Sequence, residues 1–140
     1  MRGLRLVVDA NVVIAAMMRD STTRRLLVLG GHELHVPGYL FGEVEEHFEE
    51  LVARSGISEG ALREVLQTLR AHMVEHAAAE YRESLEPAKE LLAGRDIKDV
   101  PYVALALYIG ADGLWSEDHG LKSSGGVTVY RTSDLAVPAP

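Results

Sequence analysis

The sequence predicts an α/β protein, a three-layer α/β/α sandwich around a central, mainly parallel sheet of four or five strands. Two observations support this class. Short apolar segments alternate with helical segments along the chain, an order typical of parallel strands joined by right-handed helical crossovers. The first strand, residues 4–9, is a short apolar run that ends at an acidic residue. Because strands buried on both faces read as continuous apolar runs, we expect this strand at the centre of the sheet.

The remaining elements follow from periodicity and from start and stop signals. After the first strand we expect helices over about 11–19 and 22–30, a strand over 33–37, helices over 39–54 and 58–71, a short strand over 73–77, helices over 80–93 and 99–110, and strands over 113–116 and 127–130. Gly30 and Gly31 provide a helix stop, and Ser58 is a good N-cap. Pro87 is expected to kink or break its helix, whereas Pro101 lies in a first turn, where proline is tolerated.

Length and composition favour a single domain. The 140 residues are enough for one core, and we expect one domain over residues 1–136 and a flexible tail over 137–140. The absence of cysteine excludes disulfides and thiolate zinc sites and is consistent with a cytoplasmic location. The N-terminus lacks a signal-peptide layout, and no apolar run reaches the roughly 20 residues needed to span a bilayer. We therefore expect no membrane partner.

The formal net charge of −7 argues against a strong nonspecific nucleic-acid binder, which would be basic. It does not argue against a nuclease. A cluster of carboxylates contributes several of these charges, and a bound metal ion reverses their local effect.

Four acidic residues occupy comparable places far apart in the chain. Asp9 and Asp118 follow predicted strands, whereas Glu43 and Asp99 lie in the first turns of predicted helices. In an α/β sheet these positions meet at the carboxyl ends of the strands, where ligands bind. Four converging carboxylates would repel each other unless they hold a divalent cation, for which magnesium or manganese is the best candidate. The pattern indicates metal-dependent phosphodiester chemistry.

Each acid also has a structural interpretation. Asp9 and Asp99 would both serve as helix N-caps, although Asn11 could cap the first helix equally well. Asp118 begins a turn-like Asp-His-Gly segment. The recurrence of acids at strand ends and helix starts favours the functional interpretation over these alternatives.

Periodicity alone does not distinguish Glu43 from Glu45, since they lie on opposite shoulders of the same apolar stripe. The earlier position of Glu43, closer to the preceding strand, favours it. His72 and His76 have the i, i+4 spacing of a zinc pair, but they straddle a predicted helix end, and we expect both at the surface.

Taken together, these motifs resemble those of the PIN-domain family of metal-dependent ribonucleases, which includes the toxins of many toxin–antitoxin pairs. The similar segments are Val7-Val8-Asp9-Ala10-Asn11-Val12, the helix with Glu43, Asp99-Val100-Pro101-Tyr102-Val103-Ala104-Leu105-Ala106 and Trp115-Ser116-Glu117-Asp118. The resemblance covers nearly the whole chain and rests on the order and spacing of the segments. It implies a PIN-like fold, a single-stranded RNA substrate and, for a toxin, an antitoxin partner.

The resemblance also implies roles for individual residues. Asp9, Glu43, Asp99 and Asp118 would hold one or two magnesium or manganese ions and carry catalysis, with Asn11, Asp96 and Ser116 orienting ligands and water. The Asp96-Ile97-Lys98-Asp99 run leaves open which aspartate is the main ligand, and we favour Asp99 because it directly precedes the helix. The candidates for RNA-backbone contacts are Arg24, Arg25, Lys98 and Lys122.

Two other functions fit parts of the pattern. A haloacid-dehalogenase-like phosphatase would use Asp9 as its nucleophile, but Asn11 stands where such enzymes normally have a second aspartate. A receiver-like or protein-binding module would keep an acidic pocket without nuclease activity. We also expect a homodimer, because the apolar residues around Ile14, Met17 and Met18 exceed what so small a domain readily buries.

Overall fold

The computed structural model describes residues 3–18, 21–94, 97–117 and 127–136. The tail expected at 137–140 lies outside these residues, and the proposed extent of the domain, 1–136, remains a prediction. Within the described part, five strands form one sheet with helices on both faces. The predicted three-layer α/β/α sandwich is confirmed.

The sheet is entirely parallel, with the order β3-β2-β1-β4-β5. Its strands are β1 (Arg5–Val8), β2 (Glu33–Pro37), β3 (Met73–His76), β4 (Gly113–Trp115) and β5 (Val129–Tyr130). The first strand lies at the centre, as predicted, and Leu6, Val7 and Val8 are fully buried. The short strand expected over 73–77 is present at one edge of the sheet. All carboxyl ends of the strands point to one side of the molecule.

The α-helices of the described residues are α1 (Ala10–Met17), α2 (Ser21–Leu29), α3 (Tyr39–Glu46), α4 (Phe48–Ser55), α5 (Glu59–Arg70), α6 (Leu85–Leu92), α7 (Val100–Ile109) and α8 (Thr132–Leu135). Two 3-10 helices, Ala78–Ser84 and Ile97–Asp99, precede α6 and α7. The predicted N-cap Ser58 is confirmed, since its Oγ accepts a hydrogen bond of 3.1 Å from Ala61 N–H.

Three predictions about helix boundaries are wrong. The single helix expected over 39–54 is two helices, because the chain leaves helical geometry at His47. The helix expected over 80–93 is a 3-10 helix followed by α6; the break expected at Pro87 lies just before it, between Ser84 and Leu85, and Pro87 occupies the first turn of α6. Helix α1 begins at Ala10 rather than at residue 11, which places Asp9 rather than Asn11 at the N-cap position, although the Asp9 side chain makes no capping hydrogen bond to a described residue.

Helix α7 is the central helix of one face. It packs against β1, β2 and β4, and α6 and the 3-10 helix Ala78–Ser84 pack beside it. Val103, Ala104 and Leu105 are fully buried, which explains the nearly continuous apolar sequence of this helix. It ends at Gly110, whose φ of 62° is a left-handed conformation that glycine adopts without strain.

Strands β2 and β3 are joined by a chain of polar side chains. His35 Nδ1 and His76 Nε2 lie 2.8 Å apart and share a hydrogen bond, and both rings are buried. The outer nitrogens contact Glu33 at 2.6 Å and Glu80 at 3.1 Å. The surface location expected for His76 is therefore wrong: its polar atoms are satisfied inside the protein, whereas His72 is exposed as expected.

The apolar residues that suggested a homodimer are accounted for by the core. Met17 is fully buried, and Ile14 and Met18 are partly buried against the same cluster. The homodimer remains a prediction without this motivation. None of the helices within the described residues combines the length and the apolar character needed to cross a membrane.

Candidate active site

Asp9 lies at the carboxyl end of β1, at the point where α1 begins. Its backbone N–H donates to Trp115 O at 3.0 Å, extending the pairing of β1 with β4 by one residue. Within the described residues its side chain makes no capping hydrogen bond to α1. Instead, Oδ2 accepts a hydrogen bond of 2.7 Å from the hydroxyl of Ser116, which is fully buried. The capping interpretation of Asp9 is therefore not supported, and β4 fixes the orientation of the carboxylate.

Asp99 lies at the same end of the sheet because α7 runs antiparallel to the strands. At the opposite end, the side chain of Arg5 in β1 donates to Ile109 O at 3.0 Å, which places the end of α7 beside the start of β1. The start of α7 must then lie near the carboxyl ends of the strands. Asp99 ends the 3-10 helix and precedes α7, is only 8% exposed, and makes no capping hydrogen bond within the described residues.

Glu43 lies one turn into α3, which begins directly after β2 and so starts at the same end of the sheet. It lines a small groove together with Ala10 and Ile14 of α1, so its side chain lies beside the start of that helix. Glu45 instead binds Arg63 at 2.7 Å. The preference for Glu43 over Glu45 agrees with this arrangement.

Two tyrosines connect α3 and α7 at this edge. The rings of Tyr39 and Tyr102 meet edge to face, with centroids 5.9 Å apart. Burial raises the pKa of Tyr39 to about 12, and the carboxylates of Glu43 and Asp9 contribute to the rise, while the neighbouring Tyr102 hydroxyl opposes it. Burial also holds the pKa of Tyr102 far above its usual range, with Tyr39, Asp9 and Glu43 adding to the effect. Asp9 and Glu43 therefore lie close enough to act on the same two phenols.

The hydroxyl of Tyr102 is buried without a hydrogen-bond partner of acceptable geometry among the described residues. Leaving such a group unpaired is unfavourable, by about 1–3 kcal/mol. No sequence pattern marks Tyr39 or Tyr102 as a site residue, because a tyrosine in the first turn of a helix is unremarkable by periodicity.

Three predicted site residues, Asp96, Asp118 and Lys122, lie outside the described residues. Asn11 is exposed in the first turn of α1. Within the described ranges, no three His, Cys, Asp or Glu side chains are close enough to form a ligand set by themselves. The assignment of Asp9, Glu43, Asp99 and Asp118 as metal ligands and catalytic residues remains a prediction.

The candidate RNA-binding cations differ in their surroundings. The guanidinium of Arg24 donates to the carbonyls of Ala16, Met17 and Met18 at the end of α1, at 2.8–3.4 Å, so it has a structural role. Arg25 and Lys98 are exposed. Lys98 immediately precedes Asp99 and is the basic residue best placed near the acids.

The residues that are present suit a hard divalent cation. The donors of the predicted set are all carboxylate oxygens, Asp9 is held in place by Ser116, and Asp99 is largely withdrawn from water. Magnesium is typically held by one or two protein carboxylates, with waters and substrate phosphate completing its shell. A full set of three protein ligands is therefore not required for the donors to fit this ion.

The fold is a parallel α/β/α sandwich with carboxylates at the carboxyl edge of its sheet, and a family match identifies it as a nuclease-type fold. The chain belongs to the PIN-domain family: the family model described as PIN domain matches residues 7–137, nearly the whole chain. Members of this family are generally divalent-metal-dependent ribonucleases. No curated protein is similar enough to this chain to count as a relative.

Proposed function

We propose that this protein is a divalent-metal-dependent endoribonuclease that cleaves single-stranded RNA, with Asp9, Glu43, Asp99 and Asp118 as its catalytic carboxylates. The observation that best supports the proposal is the orientation of Asp9 by Ser116 at the carboxyl edge of the sheet. A helix cap would not need this bond, whereas a metal ligand benefits from a hydrogen bond that restricts the rotation of its carboxylate.

Each of these residues would have a distinct role in metal binding. Asp9 and Asp99, at the ends of β1 and the 3-10 helix, and Glu43 of α3 would hold one or two magnesium or manganese ions, with water completing each coordination shell. Such an ion supplies Lewis-acid stabilisation of phosphate charge and lowers the pKa of bound water. Ser116 holds one oxygen of Asp9. The partial burial of Asp99 strengthens its attraction for a cation, because fewer water molecules screen it.

The decisive substitution is Asp9→Asn. It keeps the size of the side chain, and its amide oxygen can still accept from Ser116, but it removes one charge from the site. RNA cleavage should fall by orders of magnitude while the apo fold is retained. Cleavage of a labelled single-stranded RNA would be followed with magnesium, with manganese and with chelator. Full activity of the variant, or equal wild-type activity in chelator, would exclude Asp9 as an essential ligand.

Glu43 and Glu46 provide a matched pair on one helix. Both are exposed glutamates of α3, but only Glu43 lines the grooves at the carboxyl edge of the sheet. Glu43→Gln should lower cleavage strongly, and Glu46→Gln should not. Equal effects of the two substitutions would indicate a general electrostatic contribution rather than a ligand role.

The same experiments test the remaining alternatives. A receiver-like module would show a conformational response to beryllofluoride and no RNA cleavage. A toxin role implies a cytoplasmic protein paired with an antitoxin, and a neighbouring gene for a small DNA-binding protein would support it. Growth arrest on expression, relieved by co-expression of that neighbour and by Asp9→Asn, would establish it.

A further inference from the structure

A groove of about 720 Å³ opens directly beside the acidic residues. Its walls come from the start of α3, the chain between β3 and α6, and the start of α7. Glu43 lines this groove, and the turn that contributes Ile97 and Lys98 to its rim continues into Asp99. One proposed catalytic carboxylate therefore lines the groove, and a second directly follows its rim in the chain.

The groove is apolar but is bordered by a positive charge. Tyr39, which is 38% exposed, contributes its ring to the groove, and an edge-to-face contact with Tyr102 supports that ring. Tyr81 and Leu85 form the inner wall, and Ile97, which is 80% exposed, forms the rim. An aromatic face in an apolar groove is suited to stacking against a flat ring.

Among the described residues that line this groove, Lys98 is the one lysine or arginine. It is exposed and forms no ion pair with another described residue. Four arginines are already engaged: Arg5 with Glu33, Arg63 with Glu45, Arg70 with Glu75, and Arg24 with the carbonyls at the end of α1. A net charge of −7 is unfavourable for holding a nucleic acid mainly through phosphate contacts.

We propose that the groove binds an unpaired nucleobase next to the phosphate that is cleaved, with Tyr39 as the stacking surface and Lys98 as the contact to the adjoining phosphate. This inference rests on the proposed function and specifies its substrate, a strand with an extruded or unpaired base. A fully paired helix keeps its bases stacked inside and offers none to the groove. Stacking is sequence-tolerant, so the groove would select for single-strandedness more than for sequence.

The test separates binding from cleavage. A single-stranded RNA of about ten nucleotides, a length typical of such binding sites, would carry the fluorescent base 2-aminopurine at successive positions. In chelator, where the metal is absent, quenching of one or two adjacent positions reports stacking in the groove. The same RNA annealed to its complement should bind much more weakly and show no additional quenching by the protein.

Three substitutions identify the contacts. Tyr39→Leu should weaken binding by roughly 5- to 100-fold, whereas Tyr39→Phe, which keeps the ring, should bind like wild type. Lys98→Gln should reduce the dependence of binding on salt by about the contribution of one phosphate contact. Tyr108→Leu removes an exposed tyrosine of α7 that does not line the groove and should leave binding unchanged.

The outcomes distinguish this inference from the proposed function. Position-specific quenching that Tyr39→Leu abolishes supports the base site even when wild-type protein with magnesium cleaves no RNA, an outcome that would refute only the proposed function. RNA cleavage that is unaffected by Tyr39→Leu and Lys98→Gln, with no quenching at any position, overturns the base site. The groove would then be assigned to a protein partner.

Discussion

The hydroxyl of Ser116 lies 2.7 Å from Oδ2 of Asp9, although the two residues are 107 positions apart in the sequence. The bond links the ends of two adjacent strands, β1 and β4, and its donor, Ser116, is fully buried. Its strength and its effect on the site can both be measured.

Ser116→Ala should weaken magnesium binding by roughly 10- to 100-fold, because Asp9 loses the group that orients it. The free energy of unfolding without metal should fall by about 1 kcal/mol, the usual net value of such a hydrogen bond. Calorimetric titration with magnesium and urea unfolding in chelator would measure the two effects. Ser133→Ala, at an exposed position of α8, is the control. Unchanged magnesium affinity in Ser116→Ala would show that the bond does not serve the metal site.

Tyr102→Phe should leave the metal-free protein as stable as wild type or more stable, by up to about 1–3 kcal/mol. The reason is that its buried hydroxyl has no partner of acceptable geometry among the described residues, and the nearby hydroxyl of Tyr39, a partly exposed residue, can bond to water once it is gone. Tyr108→Phe, at a half-exposed position of the same helix, should change little. Urea unfolding of all three proteins in chelator provides the comparison. A clear loss of stability in Tyr102→Phe would mean that the hydroxyl has a partner outside the described residues.

Gly113→Ala should destabilise the protein, by about 1–3 kcal/mol or more. A Cβ at this position would lie 2.5 Å from Thr128 O and 2.7 Å from the ring of Tyr130, both in the chain that pairs with β4. Gly60→Ala is the opposite case: the space around it is open and it lies in α5, so a gain of about 0.5–1 kcal/mol is expected. Thermal unfolding of the two variants tests the pair. A harmless Gly113→Ala would indicate that β5 moves away readily.

Acid should weaken the contact between β2 and β3. The pKa of Glu33 is lowered, first by its hydrogen bond with His35 and then by Arg5, and that of Glu80 is lowered first by the Ala77 N–H and then by His76. A carboxylate whose folded-state pKa is depressed stabilises the fold above its unfolded-state pKa, near 4.5, and this stabilisation is lost as the pH falls through the folded-state pKa. Stability should therefore decline from about pH 5 downward.

The double variant Glu33→Gln/Glu80→Gln should show a shallower decline over the same range, when urea midpoints are measured at successive pH values in chelator. Glu64→Gln, at an exposed position of α5, should keep the wild-type profile. Identical acid profiles for the double variant and wild type would show that other carboxylates control the acid response.

The fold class could be predicted because it depends on local patterns. The apolar run of β1 predicts a strand that is buried on both faces, and that of α7 predicts a helix that is buried on all sides. The helix stop at Gly110 and the N-cap at Ser58 are local sequence signals that are also present in the structure. The boundary at His47 could not be foreseen, because the apolar stripe of α3 and α4 continues across it without a proline or glycine. The burial of His76 depends on His35, 41 residues earlier, and no local pattern contains that partner.

The candidate site was predictable in part for the same reason. Acids at strand ends and helix starts can be read from the sequence, and parallel topology then places them at one edge. The partners of these acids cannot be read in this way. The role of Arg24 at the end of α1 and the pairing of Tyr39 with Tyr102 depend on which helices become neighbours. From the sequence alone, Arg24 therefore appeared available for RNA, and the two tyrosines appeared unremarkable.

The parallel order of the strands also has a consequence for the timing of synthesis. Asp9 leaves the ribosome more than a hundred residues before Ser116, and no hairpin brings them together early, since β1 and β4 can pair only after the whole intervening chain has been made. Long-range contacts of this kind form late and slowly. A partly synthesised chain would already carry Asp9 and Glu43 but would lack the strand that aligns them, so the nascent protein is expected to be harmless to the RNA that surrounds it.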